Sequence, residues 1–144
     1  MGFNVRIAPW NEIATPSRGV RELVFIVEQN IPPELEWDGI DADCVQALAE
    51  NEAGMAIGTG RLLPDGTIGR LAVVASWRGR GVGKAILDTL VAEAQRRGYP
   101  KAMLNAQTQA RGFYEKSGFA VVGEEYMEAG IPHITMARNL PCKN

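Results

Sequence analysis

Apolar and polar positions alternate at the start of the chain: Phe3, Val5 and Ile7 are interleaved with Asn4, Arg6 and Ala8 until Pro9 breaks the run. A period of two places successive side chains on opposite faces, so residues 3–8 are predicted as a strand. The period becomes helical from Ser17 to Glu28, where Val20, Leu23, Val24 and Val27 share one face and Ser17, just behind Pro16, is placed to cap. Residues 31–43 are rich in proline and acids and read as a loop. Cys44–Ala49 and Ala53–Leu63 alternate again, and Pro64-Asp65-Gly66 turns the chain into Thr67–Ala75, which makes an antiparallel meander.

A second helical period follows residues 78–84, carried by Ala85, Ile86, Leu90, Val91 and Ala94 and ending at Arg96-Arg97-Gly98 with Pro100 beyond. Lys101–Ala106 is predicted as a strand, Thr108–Lys116 as a short helix closed by Ser117-Gly118, Phe119–Met127 as a strand, and His133–Ala137 as the last strand. The strand–helix–strand crossover through residues 67–106 should pair its strands in parallel. The expected fold class is α/β (α+β): one domain over residues 1–144, with a mixed central sheet of six to seven strands, helices on both faces, and a loose tail at 139–144.

Composition narrows the function. A chain of 144 residues with 46% hydrophobic and 22% charged residues is globular and neither disordered nor collagenous. Its net charge of −2 offers no general attraction to nucleic acid or to an anionic membrane, so neither is expected as a partner. Cys44 and Cys142 lie far apart, and the single His133 cannot complete a zinc set with them, so no metal is expected. No run of residues is apolar enough for a secretion signal or a membrane span, and a cytoplasmic location is the expectation.

The chemistry gathers at Arg78-Gly79-Arg80-Gly81-Val82-Gly83-Lys84, a glycine loop that opens a helix. Unpaired N–H groups and the positive end of the helix dipole make such a place fit for phosphate. A magnesium-nucleotide loop would need a Ser or Thr at 85, where Ala stands, and a dinucleotide loop starting at Gly79 would need glycine at 84, where Lys stands. The pattern that fits at each fixed position is R/Q-x-x-G-x-G/A, and this hexapeptide resembles the acetyl-CoA loop of the GNAT superfamily of N-acetyltransferases. Downstream, Ala110-Arg111-Gly112-Phe113-Tyr114-Glu115-Lys116-Ser117-Gly118-Phe119 resembles the A-x-x-x-Y-E-K-x-G-F segment of the same superfamily. The segments around Arg21–Gln29, Asp38–Asp41 and Gly130–His133 look like its ElaA-like branch, so the resemblance spans nearly the whole chain.

That resemblance implies a cosubstrate, acetyl-CoA, and a set of contacts to it. Gly79, Arg80, Gly81, Val82, Gly83 and Lys84 would wrap the pyrophosphate with main-chain N–H groups, and Arg78 and Arg80 would add charged bonds to phosphate oxygens. Leu71, Ala72 and Val73 would bind the pantetheine arm at a splayed strand, with the Val73 amide facing the thioester oxygen. Phe113 and Lys116 would flank the coenzyme, and Gln107, standing where many members carry Asn, would reach the pantetheine. Tyr114 would act as general acid on the departing thiolate.

On the acceptor side an amine must lose a proton, and the candidate bases are Glu28, whose carboxylate opposes the dipole at its helix end, and His133. Glu125 is a further candidate for the same cleft, and Glu34, Glu36, Asp38, Asp41 and Asp43 could attract a cationic amine. The expected activity is direct transfer of an acetyl group to a primary amine, small molecule or peptide, in a ternary complex without a covalent acyl-enzyme, by a chain able to pair into a homodimer. The alternative is a module that holds an acyl-CoA without catalysis, as a sensor or partner protein. An RNA-binding role for Arg78, Arg80, Arg96 and Arg97 lacks interleaved aromatic residues.

Overall fold

The computed structural model describes residues 2–141. Its strands are β1 (Phe3–Ala8), β2 (Val45–Asn51), β3 (Ala56–Leu62), β4 (Thr67–Val73), β5 (Lys101–Gln107), β6 (Ala120–Val121), β7 (Tyr126–Glu128) and β8 (Ile131–Asn139). They form one sheet in the order β1-β2-β3-β4-β5-β8-β6, with β7 also paired to β8. Only β4 and β5 run parallel, joined by the crossover helix α3 (Val82–Arg96). The count of eight exceeds the six to seven expected, because the single strand predicted over 119–127 breaks at Val122–Glu125 into β6 and β7.

Helix α1 (Trp10–Arg21) starts seven residues earlier than predicted and contains Pro16, and a π-helical turn, Glu22–Glu28, continues it. Tertiary packing overrides the local stop signal: Ile13 on the first turns is fully buried with Leu48 of β2, and the one hydrogen bond that Pro16 forgoes is a smaller loss. Ser17 is no cap; its hydroxyl is buried against that of Thr59, 3.0 Å away. The predicted loop 31–43 contains α2 (Pro33–Glu36) and a single 3₁₀ turn, Asp41–Asp43. The helix predicted over 108–116 is a 3₁₀ turn, Thr108–Ala110, leading into α4 (Arg111–Glu115). The tail predicted at 139–144 starts too early: Asn139 ends β8 and Leu140 is buried, its N–H bonded to Pro100 O at 2.9 Å. Residues 142–144 lie outside the described residues.

The two faces of the sheet are built differently. On one, α3 buries Val82, Ile86, Leu87, Leu90, Val91 and Ala94 against Ile57, Ile68, Leu104, Ile134 and Met136. This helix lies close because Gly58 presents no side chain; a Cβ there would stand 2.8 Å from Ile86 Cδ1 and 3.1 Å from Ala72 O. On the opposite face α1 and the π turn cover a smaller apolar set, Val20, Val24, Phe25 and Ala72. A second small set, Ala8, Ile13 and Leu48, packs under the start of α1, and beside these clusters lies an ionic network.

Arg21 is 1% exposed and donates from Nε to Glu36 Oε2 and from Nη1 to Asp41 Oδ1, both at 2.7 Å. Arg61 of β3 donates to Asp38 at 2.5 Å and to Asp41 at 3.0 Å, and Arg70 of β4 stands 3.2 Å from Glu36 and from Asp38. Trp37 lies over the guanidinium groups of Arg18 and Arg21 at 5.4 and 5.0 Å. Three arginines and three carboxylates thus neutralise one another and tie the segment 33–44 to the sheet. The acids of this segment that were candidates for attracting an amine are, at Glu36, Asp38 and Asp41, engaged by arginines. Burial pushes the Glu36 carboxyl up, whereas the Arg61 hydrogen bond holds Asp38 down at about 2.

Removing one member leaves buried charges without partners. Arg21→Met is expected to destabilise the protein by about 3–5 kcal/mol, read from the urea midpoint. Because the Asp38 value is depressed on folding, its contribution is complete above the ordinary value of 3.8 and disappears as pH falls towards about 2. Asp38→Asn should therefore flatten the fall in stability over that acid window, as measured by denaturation at successive pH values, and leave the slope near neutrality unchanged.

Candidate active site

β4 carries a bulge that opens the sheet. Its register with β3 pairs Ile68 with Leu62 and Gly69 with Arg61, then shifts so that Ala72 pairs with Thr59 and Val73 with Gly58. One extra residue is accommodated at Arg70, whose φ of +52° is in the left-handed region. Its parallel pairing with β5 extends only over Thr67–Met103 and Ile68–Leu104. Beyond that point the two strands diverge and leave a slot through the sheet.

Strand alternation decides what faces the slot. The Val74 N–H is bonded to Ile57 O of β3, so the N–H and C=O of Val73 turn the other way. The Val73 C=O accepts from Arg78 Nε at 2.9 Å. Leu71, Ala72 and Val73 line a cleft of about 920 Å³ that runs through this slot. On the α3 side the cleft is lined by Arg78, Gly79, Gly81, Val82, Gly83, Lys84, Phe113 and Tyr114, and on the α1 side by Phe25, Glu28, Gln29, Glu36, Arg61, Arg70, Glu128 and His133.

The loop is shaped by its glycines. Gly79 and Gly81 have φ of +75° and +84°, a conformation that a side chain disfavours by about 1–2 kcal/mol per residue. Gly81 is the residue before α3 and no side chain caps the helix, so its first N–H groups remain available. Gly83 is ordinary helix; a Cβ would meet Phe113 Cζ at 3.4 Å, which explains how the pattern admits alanine there.

Tyr114 packs edge-on between Phe113 and Phe119, with ring centroids 5.0 and 6.3 Å away. Burial pushes its phenol up to about 12, above the ordinary value near 10, so it holds its proton across the neutral range. The base candidates differ in freedom. Glu28 is taken by Arg78 in a two-pronged pair with both contacts at 2.9 Å. His133 is nearly buried, with Nδ1 2.7 Å from Ile131 O and Nε2 3.7 Å from Glu128 Oε2. Gln107 sits across from His133 in the β5–β8 register and donates to Gln29 Oε1 at 2.7 Å.

The structure therefore brings together most of the residues predicted for the site. Arg80 and Lys116 do not line the cleft; the Arg80 guanidinium lies 4.8 Å over the Trp77 ring. Arg78 directs three N–H groups to protein partners, so a phosphate would compete with Glu28 for it. Glu125 is absent from the lining and Glu128 is present. Glu128, Arg61 and Arg70 were missed; the Ala129-Gly130 turn could have signalled the first, while the arginines depend on a bulge that no local pattern shows. Cys44 is buried, and burial pushes its thiol up, away from nucleophilic use. Among the described residues no helix is long and apolar enough to cross a membrane, and no group of three His, Cys, Asp or Glu gathers to hold a metal.

Comparison with known proteins agrees with this geometry. The family model described as an acetyltransferase (GNAT) domain matches residues 26–140. The Bacillus subtilis protein named uncharacterized N-acetyltransferase YjcF is 39% identical over 124 residues, covering 83% of this chain and 88% of that protein. Escherichia coli ElaA is 32% identical over 128 residues, 84% of each chain, and its crystal structure superimposes with a TM-score of 0.85 at 28% identity over 96% of this chain and 100% of that one. The crystal structure of an acyl-CoA N-acyltransferase from Pseudomonas aeruginosa matches with a TM-score of 0.84 and 29% identity, over 95% of this chain and 99% of that one. The family model covers most of the chain and relatives above 30% identity cover more than four-fifths of it, and the chain is an acetyltransferase of the GNAT family.

Proposed function

We propose that the protein transfers an acetyl group from acetyl-CoA to a primary amine by direct attack, with the two substrates meeting in the slot between β4 and β5. The observation that carries this reading is the slot itself, which joins the glycine loop and Tyr114 on one side of the sheet to His133 on the other. Acyl transfer from an acyl-CoA is the chemistry of the family, and the relative from Pseudomonas aeruginosa carries it in its name.

The residues fit the cosubstrate. The N–H groups at the start of α3 and the left-handed loop offer donors to a pyrophosphate, and the unpaired edge of β4 from Gly69 to Val73 offers backbone groups to an amide-bearing arm. The Val73 N–H turns into the slot, where it would stabilise the oxyanion that forms when an amine adds to the thioester carbonyl. Tyr114 is protonated across the neutral range and gives that proton to the departing sulfur as the C–S bond breaks.

His133 is the base that the geometry favours over Glu28. Its Nδ1 faces a carbonyl, which can only accept, so Nδ1 carries a hydrogen and Nε2 is the ring nitrogen left to take a proton in the cleft. Glu28 is occupied by Arg78 and serves to position the loop. The Gln107 amide, bonded to Gln29 and Gln109, forms part of the wall beside the histidine.

The deciding experiment follows free thiol release from acetyl-CoA across amine classes, with CoA affinity measured in parallel. Transfer to one class establishes the reading, whereas tight CoA binding without transfer would favour an acyl-CoA sensor. Gly81→Val is expected to abolish CoA binding by calorimetry while the protein remains folded by circular dichroism, since the branch strains the loop that presents the N–H groups. Tyr114→Phe is expected to lower kcat by about 100-fold or more with CoA affinity nearly unchanged, a split that separates proton donation from cosubstrate binding.

A further inference from the structure

The hairpin on the α1 side of the cleft indicates the charge of the acceptor. β7 and β8 meet at Glu128 and Ile131, and the two residues between them, Ala129 and Gly130, both have positive φ, +52° and +75°. A turn of this kind is ordinarily made by Asn, Asp or Gly, so alanine is held there at a cost of about 1–2 kcal/mol. Such strain persists where the surroundings fix the backbone, and it clusters at functional sites. Its effect here is to set Glu128 and His133 side by side in the wall of the cleft.

The two side chains face each other across the cleft wall. His133 is fixed on two sides, by Tyr126 stacked with a centroid distance of 5.9 Å and an interplanar angle of 27°, and by the Ile131 carbonyl at Nδ1. As the base of the acetyltransfer reading the ring is neutral, and its Nε2 then presents a lone pair. Opposite stands Glu128 Oε2 at 3.7 Å, beyond hydrogen-bond reach, on a carboxylate that is 62% exposed and has no Arg or Lys partner among the described residues. A lone pair and a carboxylate gain nothing from each other. What satisfies both is a donor with several N–H directions and a positive charge, which describes an alkylammonium group; a hydroxyl has one hydrogen and a quaternary ammonium has none.

We propose that Glu128 and His133 form an ammonium port, so that the acceptor enters as a cationic primary amine with one N–H accepted by Glu128 Oε2 and another by His133 Nε2. This rests on the acetyltransfer reading above. One proton passes from the ammonium nitrogen to Nε2 and on to solvent, and Glu128 offsets the charge that the imidazolium carries meanwhile. The freed nitrogen lone pair forms the C–N bond at the thioester carbonyl. As the C–S bond breaks, the nitrogen gives up its second proton and the sulfur gains one through Tyr114. The products are the amide, the free thiol and one proton, which balances the ammonium and thioester that entered.

His133 is the only histidine of the chain, so its imidazole signals can be followed by NMR without assignment ambiguity. The full chain is titrated with propylammonium chloride, with 1-propanol and tetramethylammonium chloride as matched probes. Propylammonium alone is expected to give a saturable shift of the His133 Nε2 resonance, and Glu128→Gln is expected to weaken that binding about tenfold or more. Equal responses to the three probes, no saturable response to propylammonium, or an affinity unchanged in Glu128→Gln would overturn the proposal. In the thiol-release assay Glu128→Gln should raise the KM of a transferred amine by about tenfold or more with CoA affinity unaltered. Glu128-dependent ammonium binding without transfer to any amine would leave the port standing and sink the acetyltransfer reading. Transfer that is indifferent to Glu128→Gln would do the reverse.

Discussion

The site depends on a single residue being held in a backbone conformation it would not choose. Arg70 at φ +52° supplies the extra residue of the β4 bulge, and the bulge is where β4 stops pairing with β5. A left-handed non-glycine residue costs about 1–2 kcal/mol, and the hydrogen bonds lost by ending the ladder early add to that. The offset comes from the Arg70 side chain, which donates to the carbonyls of Leu35 and Glu36 and to Asp38, and stands beside the Glu36 carboxylate. The guanidinium thus anchors the strained backbone to the segment that covers the sheet.

That anchoring explains why the buried charges occur on the α1 face and not on the α3 face. An apolar core like the one under α3 would hold a regular strand equally well. A bulge needs directional contacts, because it must be fixed at one residue and in one conformation, and ion pairs with fixed hydrogen-bond geometry supply direction that dispersion does not. Desolvating six charged groups gives a modest net stabilisation at best, so the network is better understood as specifying geometry than as adding stability. The same arginines occupy acids that would otherwise present a negative field at the cleft, which leaves Glu128 as the exposed carboxylate facing His133.

In the proposed reaction the slot also allots the chemistry to the two faces of the sheet. The glycine loop and Tyr114, proposed as phosphate donors and acid, lie on the α3 side, while His133, Glu128 and the Gln29–Gln107 pair lie on the α1 side. Donors that steady a leaving group and acceptors that remove a proton from a nucleophile would quench one another if adjacent. Separated by the sheet, they meet only through the reacting atoms. The Glu28–Arg78 pair bridges the division, tying the end of the π turn to the loop and, through Arg78 Nε, to the Val73 carbonyl.

Sequence by itself determined what depends on near neighbours. The strands at 3–8 and 101–106, the crossover helix, the glycine loop that opens it and the tyrosine segment follow from period, turn chemistry and a motif within a few residues, and family membership followed from those. The start of α1 and the place of Pro16 were set by burial of Ile13 under the sheet, against the local signal. The bulge at Arg70, the pairing of Glu28 with Arg78 and of Arg21 with Glu36 and Asp41, and the meeting of His133 with Glu128 were decided only by tertiary structure. Local propensity acts through the backbone over one or two turns. A bulge or a buried charge pair takes its energy from groups tens of residues away, and its free energy is defined only once the fold has brought them together.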